Sequence, residues 1–158
     1  MIKNKFFWNI FFIISIFLID RITKHSVIRL ADEFGEIDIS LTPFLNVNLI
    51  WNEGIAFGLF SFDQKIYYNI LTTMIIIITF IILWMITKTE KFERLAFMMI
   101  FGGSIGNIFD RLFYSAVPDF IDFHIKNFHW FIFNVADIFI TIGVIMLICH
   151  EVFLKNKT

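Results

Sequence analysis

A chain of 158 residues has room for one domain, and at 58% hydrophobic with a mean hydropathy of +0.79 it cannot hide its apolar surface in a water-soluble core. Lipid must cover the remainder, so the class is an integral membrane protein. A net charge of −1 gives no reason to expect a nucleic-acid partner. The single cysteine and four scattered histidines give neither a disulfide framework nor a zinc-ligand spacing. Cys149, in an apolar run, reads as a small buried hydrophobe.

The chain starts with Lys3 and Lys5, then runs apolar from Phe6 to Ile19 with only Asn9 and Ser15 intervening. No small-residue cleavage site follows, so this is read as a retained span over about residues 5–28. Its outer end is polar, Asp20-Arg21-Ile22-Thr23-Lys24. Asp20 and Lys24 are one helical turn apart and can pair, which lowers the cost of either near lipid. Residues 29–66 change character: Asp32, Glu33, Glu36 and Asp38 are acidic, and Pro43 breaks any helix. From Phe44 to Trp51 the apolar residues alternate loosely with Asn46 and Asn48, a pattern for short strands at the membrane surface. Asn52-Glu53-Gly54-Ile55-Ala56-Phe57-Gly58 then suggests a tight turn that exposes a Phe.

A second span is expected over about 67–87, a third over about 95–113 and a fourth over about 130–153. The architecture is therefore an all-α membrane protein of four transmembrane helices in one membrane domain, 1–158. Between them lie a small β-rich region outside the membrane and a second outer stretch over about 114–129, a surface loop or helix. Lys3, Lys5, Lys88, Lys91, Arg94, Lys155 and Lys157 lie in short segments on one side, against six basic residues spread over long loops on the other. That bias puts both termini in the cytoplasm. Trp8 and Trp84 fall near the inner interface and Trp51 and Trp130 near the outer one, as aromatic belts do.

With that topology the polar residues gather. Asp137 stands in the apolar run from Trp130 to Cys149, with Asn134 and Thr141 on its own helix face. It is expected about seven residues, near 10 Å, below Trp130. The third span ends Gly102-Gly103-Ser104-Ile105-Gly106-Asn107-Ile108-Phe109-Asp110-Arg111, which puts Gly103, Asn107 and Asp110/Arg111 on one face. Val117-Pro118-Asp119-Phe120-Ile121-Asp122-Phe123 alternates apolar with acidic and reads as an extended segment lying on the membrane. Asp20, Asn52, Asp110, Asp119, Asn134 and Asp137 thus converge at one depth, just below the outer surface.

No Ser–His or Cys–His pair is placed for a nucleophile, and no metal or cofactor is expected. Two aspartates in a poorly hydrated site share a proton, one serving as base toward water and the other as acid. Asp110, Asp119 and Asp137 all remain candidates for that pair. A small transporter or proton-conducting subunit would also bury acids, but along a path through the bilayer. An assembly factor with buried polar helix contacts is the third alternative.

The blocks Asp20–Lys24, Asn52–Gly58, Gly102 to Arg111, Val117–Phe120 and Phe133–Asp137, in this order and with this number of spans between them, resemble lipoprotein signal peptidase (signal peptidase II). The resemblance covers essentially the whole chain, and Arg21 stands where Gln is common. It implies a bacterial inner-membrane aspartyl endopeptidase whose substrates are diacylglyceryl prolipoproteins, cut just before the lipidated cysteine. By position it assigns Asp119 and Asp137 as the catalytic pair and leaves Asp110 as a support that orients Arg111. Asn52, Asn107, Arg111 and Asn134 match residues that line the substrate and antibiotic site. Gly54, Ala56 and Phe57 match the outer loop over that site, Gly54 as a substrate-binding position. Asp20, Lys24, Gly103 and Ala136 match supporting positions. The resemblance further implies inhibition by globomycin and myxovirescin bound between the aspartates, and Lys24 and Arg111 are placed to contact lipid headgroups or the substrate backbone. The chain is expected to work as a monomer. The extended loop is expected to let Asp119 swing toward Asp137 only when substrate is present.

Overall fold

The computed structural model describes residues 2–54, 64–126 and 128–154. Ala56 and Phe57, and Lys155 and Lys157 of the orientation argument, lie outside these residues. The elements in order are α1 (Ile2–Phe34), β1 (Asp38–Thr42), β2 (Leu45–Asn52), α2 (Gln64–Lys88), α3 (Lys91–Tyr114), β3 (Val117–Ile125), β4 (Phe128–Phe133) and α4 (Val135–Cys149). A π turn, His150–Leu154, continues α4. Among the described residues, four helices are long and apolar enough to cross a membrane, and four strands form one antiparallel sheet in the order β1-β2-β3-β4.

α3 is the central helix. Its most apolar window is 56% buried against 11–17% for the other three, so polar residues on α3 look at protein while Ile70, Ile77, Phe80 and Ile81 of α2 stand exposed for lipid to cover. Glycines let the neighbours come close. A Cβ at Gly103 would lie 2.5 Å from the Ala136 carbonyl oxygen and 2.8 Å from Ile140 Cγ1 of α4, and one at Gly106 would lie 2.7 Å from Asp20 Oδ2 of α1. Gly103→Ala is therefore expected to push α3 off α4, at a cost of about 1–3 kcal/mol. A lower Tm in detergent would register it.

α1 is longer than its span. Its 33 residues reach about 50 Å at 1.5 Å per residue, against a hydrocarbon core of about 30 Å. Asp32 and Glu33 belong to its last turn and not to a loop. Gly35, at φ +84°, ends the helix, its N–H bonded 2.9 Å to the Ala31 carbonyl. The extension has a packing role: Val27 of α1, Ile37 and Phe120 of β3 form a small buried cluster. The sheet is thereby seated on the end of α1.

Further differences from the sequence reading lie in the second half of the chain. The fourth span starts at Val135, because Phe128–Phe133 is a strand. An aromatic and β-branched run such as Trp130-Phe131-Ile132-Phe133 cannot be assigned to helix or strand from hydrophobicity alone. The segment from Val117 is extended as expected, but it is an inner strand bonded to β2 on one edge and β4 on the other, not a free segment on the membrane. Cys149, expected to be buried, is exposed on α4.

Candidate active site

The site begins where β4 passes into α4. Asn134 is extended, at φ −124° and ψ −179°, and caps α4: its side chain accepts from the Asp137 N–H while the Asp137 carboxylate accepts from the Asn134 N–H, a reciprocal capping box. The two bonds are each 3.1 Å. Asp137 is thus in the first helical turn, not seven residues below an interfacial Trp130, and the partial positive charge of a helix start suits a carboxylate.

Asn134 has a second hand. Its Nδ2 donates to Asp119 Oδ1 at 2.6 Å, so one asparagine ties the aspartate of β3 to the aspartate of α4. The other oxygen of Asp119 accepts from Asn52 Nδ2 at 2.9 Å, and Asn52 is held in turn by the Gly54 N–H on its Oδ1 at 2.8 Å. Asp137 Oδ1 accepts from Asn107 Nδ2 of α3 at 2.8 Å. Asparagines therefore hold both carboxylates on both sides. Each supplies an N–H without supplying positive charge.

The charges are next door. Lys24 Nζ, 1% exposed, donates to Asn107 Oδ1 at 2.8 Å and pairs with Asp110 at 2.6 Å and Asp20 at 3.0 Å. Arg21 pairs with Asp110 at 2.5 Å and with Asp20 at 2.8 Å, and its guanidinium lies 4.8 Å from the Phe109 ring. Asp20 Oδ1 also accepts from the Ala136 N–H at 3.0 Å. Two acids and two bases make a neutral, buried quartet, the arrangement that makes charge tolerable in low dielectric. Asn107 links that quartet to Asp137, and because Lys24 occupies its oxygen, its amide must present N–H to Asp137.

Asp119 is 3% exposed, and its carboxyl is raised above the usual carboxylate range. Burial is the main cause and the negative charge of Asp137 adds to it, against the hydrogen bonds from Asn52 and Asn134. Two clefts open on the pair. One of about 510 Å³ is lined by Phe123, Phe131, Phe133, Asp137, Ile138 and Thr141, almost wholly apolar. The other, of about 350 Å³, is more polar and is lined by Trp51, Asn52, Glu53 and Asp119 among others.

A family model described as signal peptidase (SPase) II matches residues 12–153. The chain belongs to the signal peptidase II family. A lipoprotein signal peptidase of Pelagibacter ubique is 51% identical over 99% of this chain and 93% of its own length. One of Francisella tularensis subsp. novicida is 40% identical over 94% of each. Two solved structures of bacterial membrane enzymes are 30% and 29% identical, with TM-scores of 0.70 and 0.71. They cover 95% and 93% of this chain, and 91% and 94% of theirs is covered. Membership makes the chain a multi-pass bacterial membrane protease, of a family that removes the signal peptides of lipoproteins.

Within this signal peptidase II chain, Asp20, Lys24, Asn52, Gly54, Asn107, Asp110, Asp119, Asn134, Ala136 and Asp137 stand in one continuous hydrogen-bonded chain. Gly103 is the close-approach point beneath it. Asp20 and Lys24 do pair. Asp110 does not orient Arg111; its carboxylate is taken by Lys24 and Arg21, and Arg111 donates to the carbonyl of Asn107 on its own helix at 3.2 Å. Nor does Asp119 wait on a free loop, since the sheet and two asparagines already hold it beside the start of α4. Arg21, which stands where Gln is common in the resemblance, pairs with both Asp20 and Asp110. Three charges in Asp20-Arg21-Ile22-Thr23-Lys24 inside one apolar helix were the available signal, because such groups persist in lipid only when paired.

Proposed function

We propose that this protein is an aspartyl endopeptidase that cuts diacylglyceryl prolipoproteins before the lipidated cysteine, with Asp119 and Asp137 as its catalytic pair. The observation that carries the reading is that these two carboxylates share Asn134 and are bonded to asparagines, while Asp20 and Asp110 are neutralised by Lys24 and Arg21. A pair without its own cation keeps one proton between its members. On this reading the shared proton is assigned to Asp119, whose carboxyl is raised mainly by burial.

The chemistry follows from that proton. Asp137 takes a proton from a water molecule as its oxygen attacks the scissile carbonyl carbon. Asp119 gives its proton to the carbonyl oxygen. When the tetrahedral diol collapses, the C–N bond breaks, the departing amine takes up the proton held by Asp137, and Asp119 recovers the proton of the reforming carbonyl. The apolar cleft beside Asp137 suits acyl chains and the polar cleft beside Asp119 suits the peptide. An acyl anchor in the bilayer brings the scissile bond to one depth and supplies orientation.

On this reading the sheet and the pair face the outside of the cell and both termini the cytoplasm, in keeping with the Lys and Arg bias. The whole chain is one membrane domain and works as a monomer. Asn52, Gly54, Asn107, Arg111 and Asn134 contact substrate or its mimics, and globomycin-type cyclic peptides block the cleft. Membrane lipids complete the apolar wall.

The test is cleavage of a purified diacylglyceryl prolipoprotein beside its unlipidated form, with mass spectrometry of the new N-terminus over a range of pH. The expected product begins at the lipidated cysteine, and the unlipidated form stays uncut. The rate is expected to fall as pH rises through the raised pKa of Asp119, where the proton donor is lost. Stability moves in the same direction on the alkaline side, because a group whose folded pKa is raised costs stability on ionising. A cut elsewhere, or a rate that only rises with pH, would sink the assignment.

A further inference from the structure

On the other side of the sheet from Asp119 lies a cluster that the peptidase reading does not use. Asp122 and His124 are two residues apart on β3 and share a face, while Asp119, three residues before Asp122, is on the opposite one. His129 joins them from β4. The ladder pairs Phe123 with Phe131 but His124 with His129, which leaves Trp130 as an extra residue on β4. Without that bulge Trp130 would oppose His124; bulges re-aim side chains in just this way. One donor atom from each of Asp122, His124 and His129 lies within 4.8 Å of the other two.

The ion pair within the cluster does not account for it. His129 Nδ1 meets Asp122 Oδ2 at 2.7 Å. Yet Asp122, 1% exposed, keeps a buried Oδ1 with no hydrogen-bond partner, and the Nδ1 of His124 is also buried without one. Two buried polar atoms without partners, one on each of two residues in the cluster, are costly unless something binds them.

We propose that Asp122, His124 and His129 form a site for a divalent transition ion, zinc by donor set, that clips β3 to β4 on the face away from the catalytic pair. Two imidazoles and one carboxylate suit zinc and leave a coordination position for water, whereas magnesium and calcium select oxygen ligands. The ion takes the place of the proton between His129 and Asp122 and engages the two orphaned atoms. The sequence showed no zinc spacing because the ligands come from two strands and are brought into range by the bulge.

The experiment uses untagged protein in detergent, equilibrated with zinc, desalted and analysed for bound metal, with Tm measured with and without zinc. One zinc per chain and a zinc-dependent rise in Tm are expected for the wild type. His129 has a side chain 53% exposed, so His129→Ala should fold; it is expected to lose both the bound zinc and the rise in Tm. Its zinc-free peptidase rate should match that of the zinc-free wild type, so this result is separate from the catalytic assignment. A wild type that holds no zinc, or a folded His129→Ala that holds as much as the wild type, overturns the proposal. His124→Ala, expected to behave like His129→Ala, guards against metal held by His129 alone, since retention of zinc by this variant would also overturn it.

Discussion

Asp119→Asn and Asp137→Asn are each expected to abolish peptide cleavage, by about a thousandfold or more, while the protein stays folded. General acid–base participation is worth about 10²- to 10⁴-fold per group, and the two roles fail together, since neither a base without an acid nor the reverse completes the transfer. Asn keeps the size of Asp. At position 137 its Oδ1 can still accept from the Asn134 N–H, so the start of α4 should survive. At position 119 one face of the amide can accept from Asn52 or Asn134 but not from both, which leaves one N–H facing an N–H and a modest loss in Tm. The measurement is turnover of a diacylglyceryl prolipoprotein with Tm recorded beside it. Loss of cleavage in a folded variant carries the assignment; an Asp119→Asn variant that still cuts at more than a hundredth of the wild-type rate defeats it.

The second large effect is expected at Lys24, which touches no substrate in the mechanism above. Lys24→Met keeps the length of the stem but removes the charge that Asp20 and Asp110 share, both of them 0% exposed. Breaking a buried pair from one side costs about 3–5 kcal/mol, because the partner is left charged and unsolvated. Arg21 still bonds both acids, which keeps the expected loss toward the lower end of that range. Heat or denaturant unfolding in detergent reads this loss directly. A catalytic consequence follows through Asn107. Without Lys24 on its Oδ1 the amide is free to turn, and an oxygen facing Asp137 would repel the carboxylate that the N–H now holds. Cleavage at a temperature where Lys24→Met is folded should therefore be reduced, though far less than in Asp137→Asn. Unchanged Tm in this variant would show that the quartet is not the anchor of the outer half of α1.

The two effects share a physical origin. Apolar surface does not drive helices together inside lipid, so close packing and polar contacts must do so. Here the small residues Gly103 and Gly106 bring α1, α3 and α4 to contact. The polar quartet locks them in register, and Asn107 links it to Asp137 of the proposed pair. The site is held by the same bonds that hold the bundle.

Much of this was legible in the residues. Four long apolar runs and a mean hydropathy of +0.79 determine a membrane protein with four spans, because nothing else covers so much apolar surface. Asp20, Asp110 and Asp137 in or beside those runs mark a functional or paired site, since isolated charge is too costly there. The i,i+4 spacing of Asp20 and Lys24 determines that they can pair.

Tertiary structure decided the rest. The residues by themselves left Asp110, Asp119 and Asp137 open, and although the family resemblance pointed to Asp119 and Asp137, only the three-dimensional partners give the physical difference: cations on Asp110, asparagines on the other two. The sequence also could not tell strand from helix in Phe128–Phe133, where the hydrophobicity is uninterrupted and only pairing with β3 selects the extended form. The same pairing, through one extra residue on β4, gathers Asp122, His124 and His129 from positions whose spacing carries no signature. Local patterning reports what a side chain needs from its surroundings, lipid, water or a partner. Which partner it receives depends on contacts between residues distant along the chain.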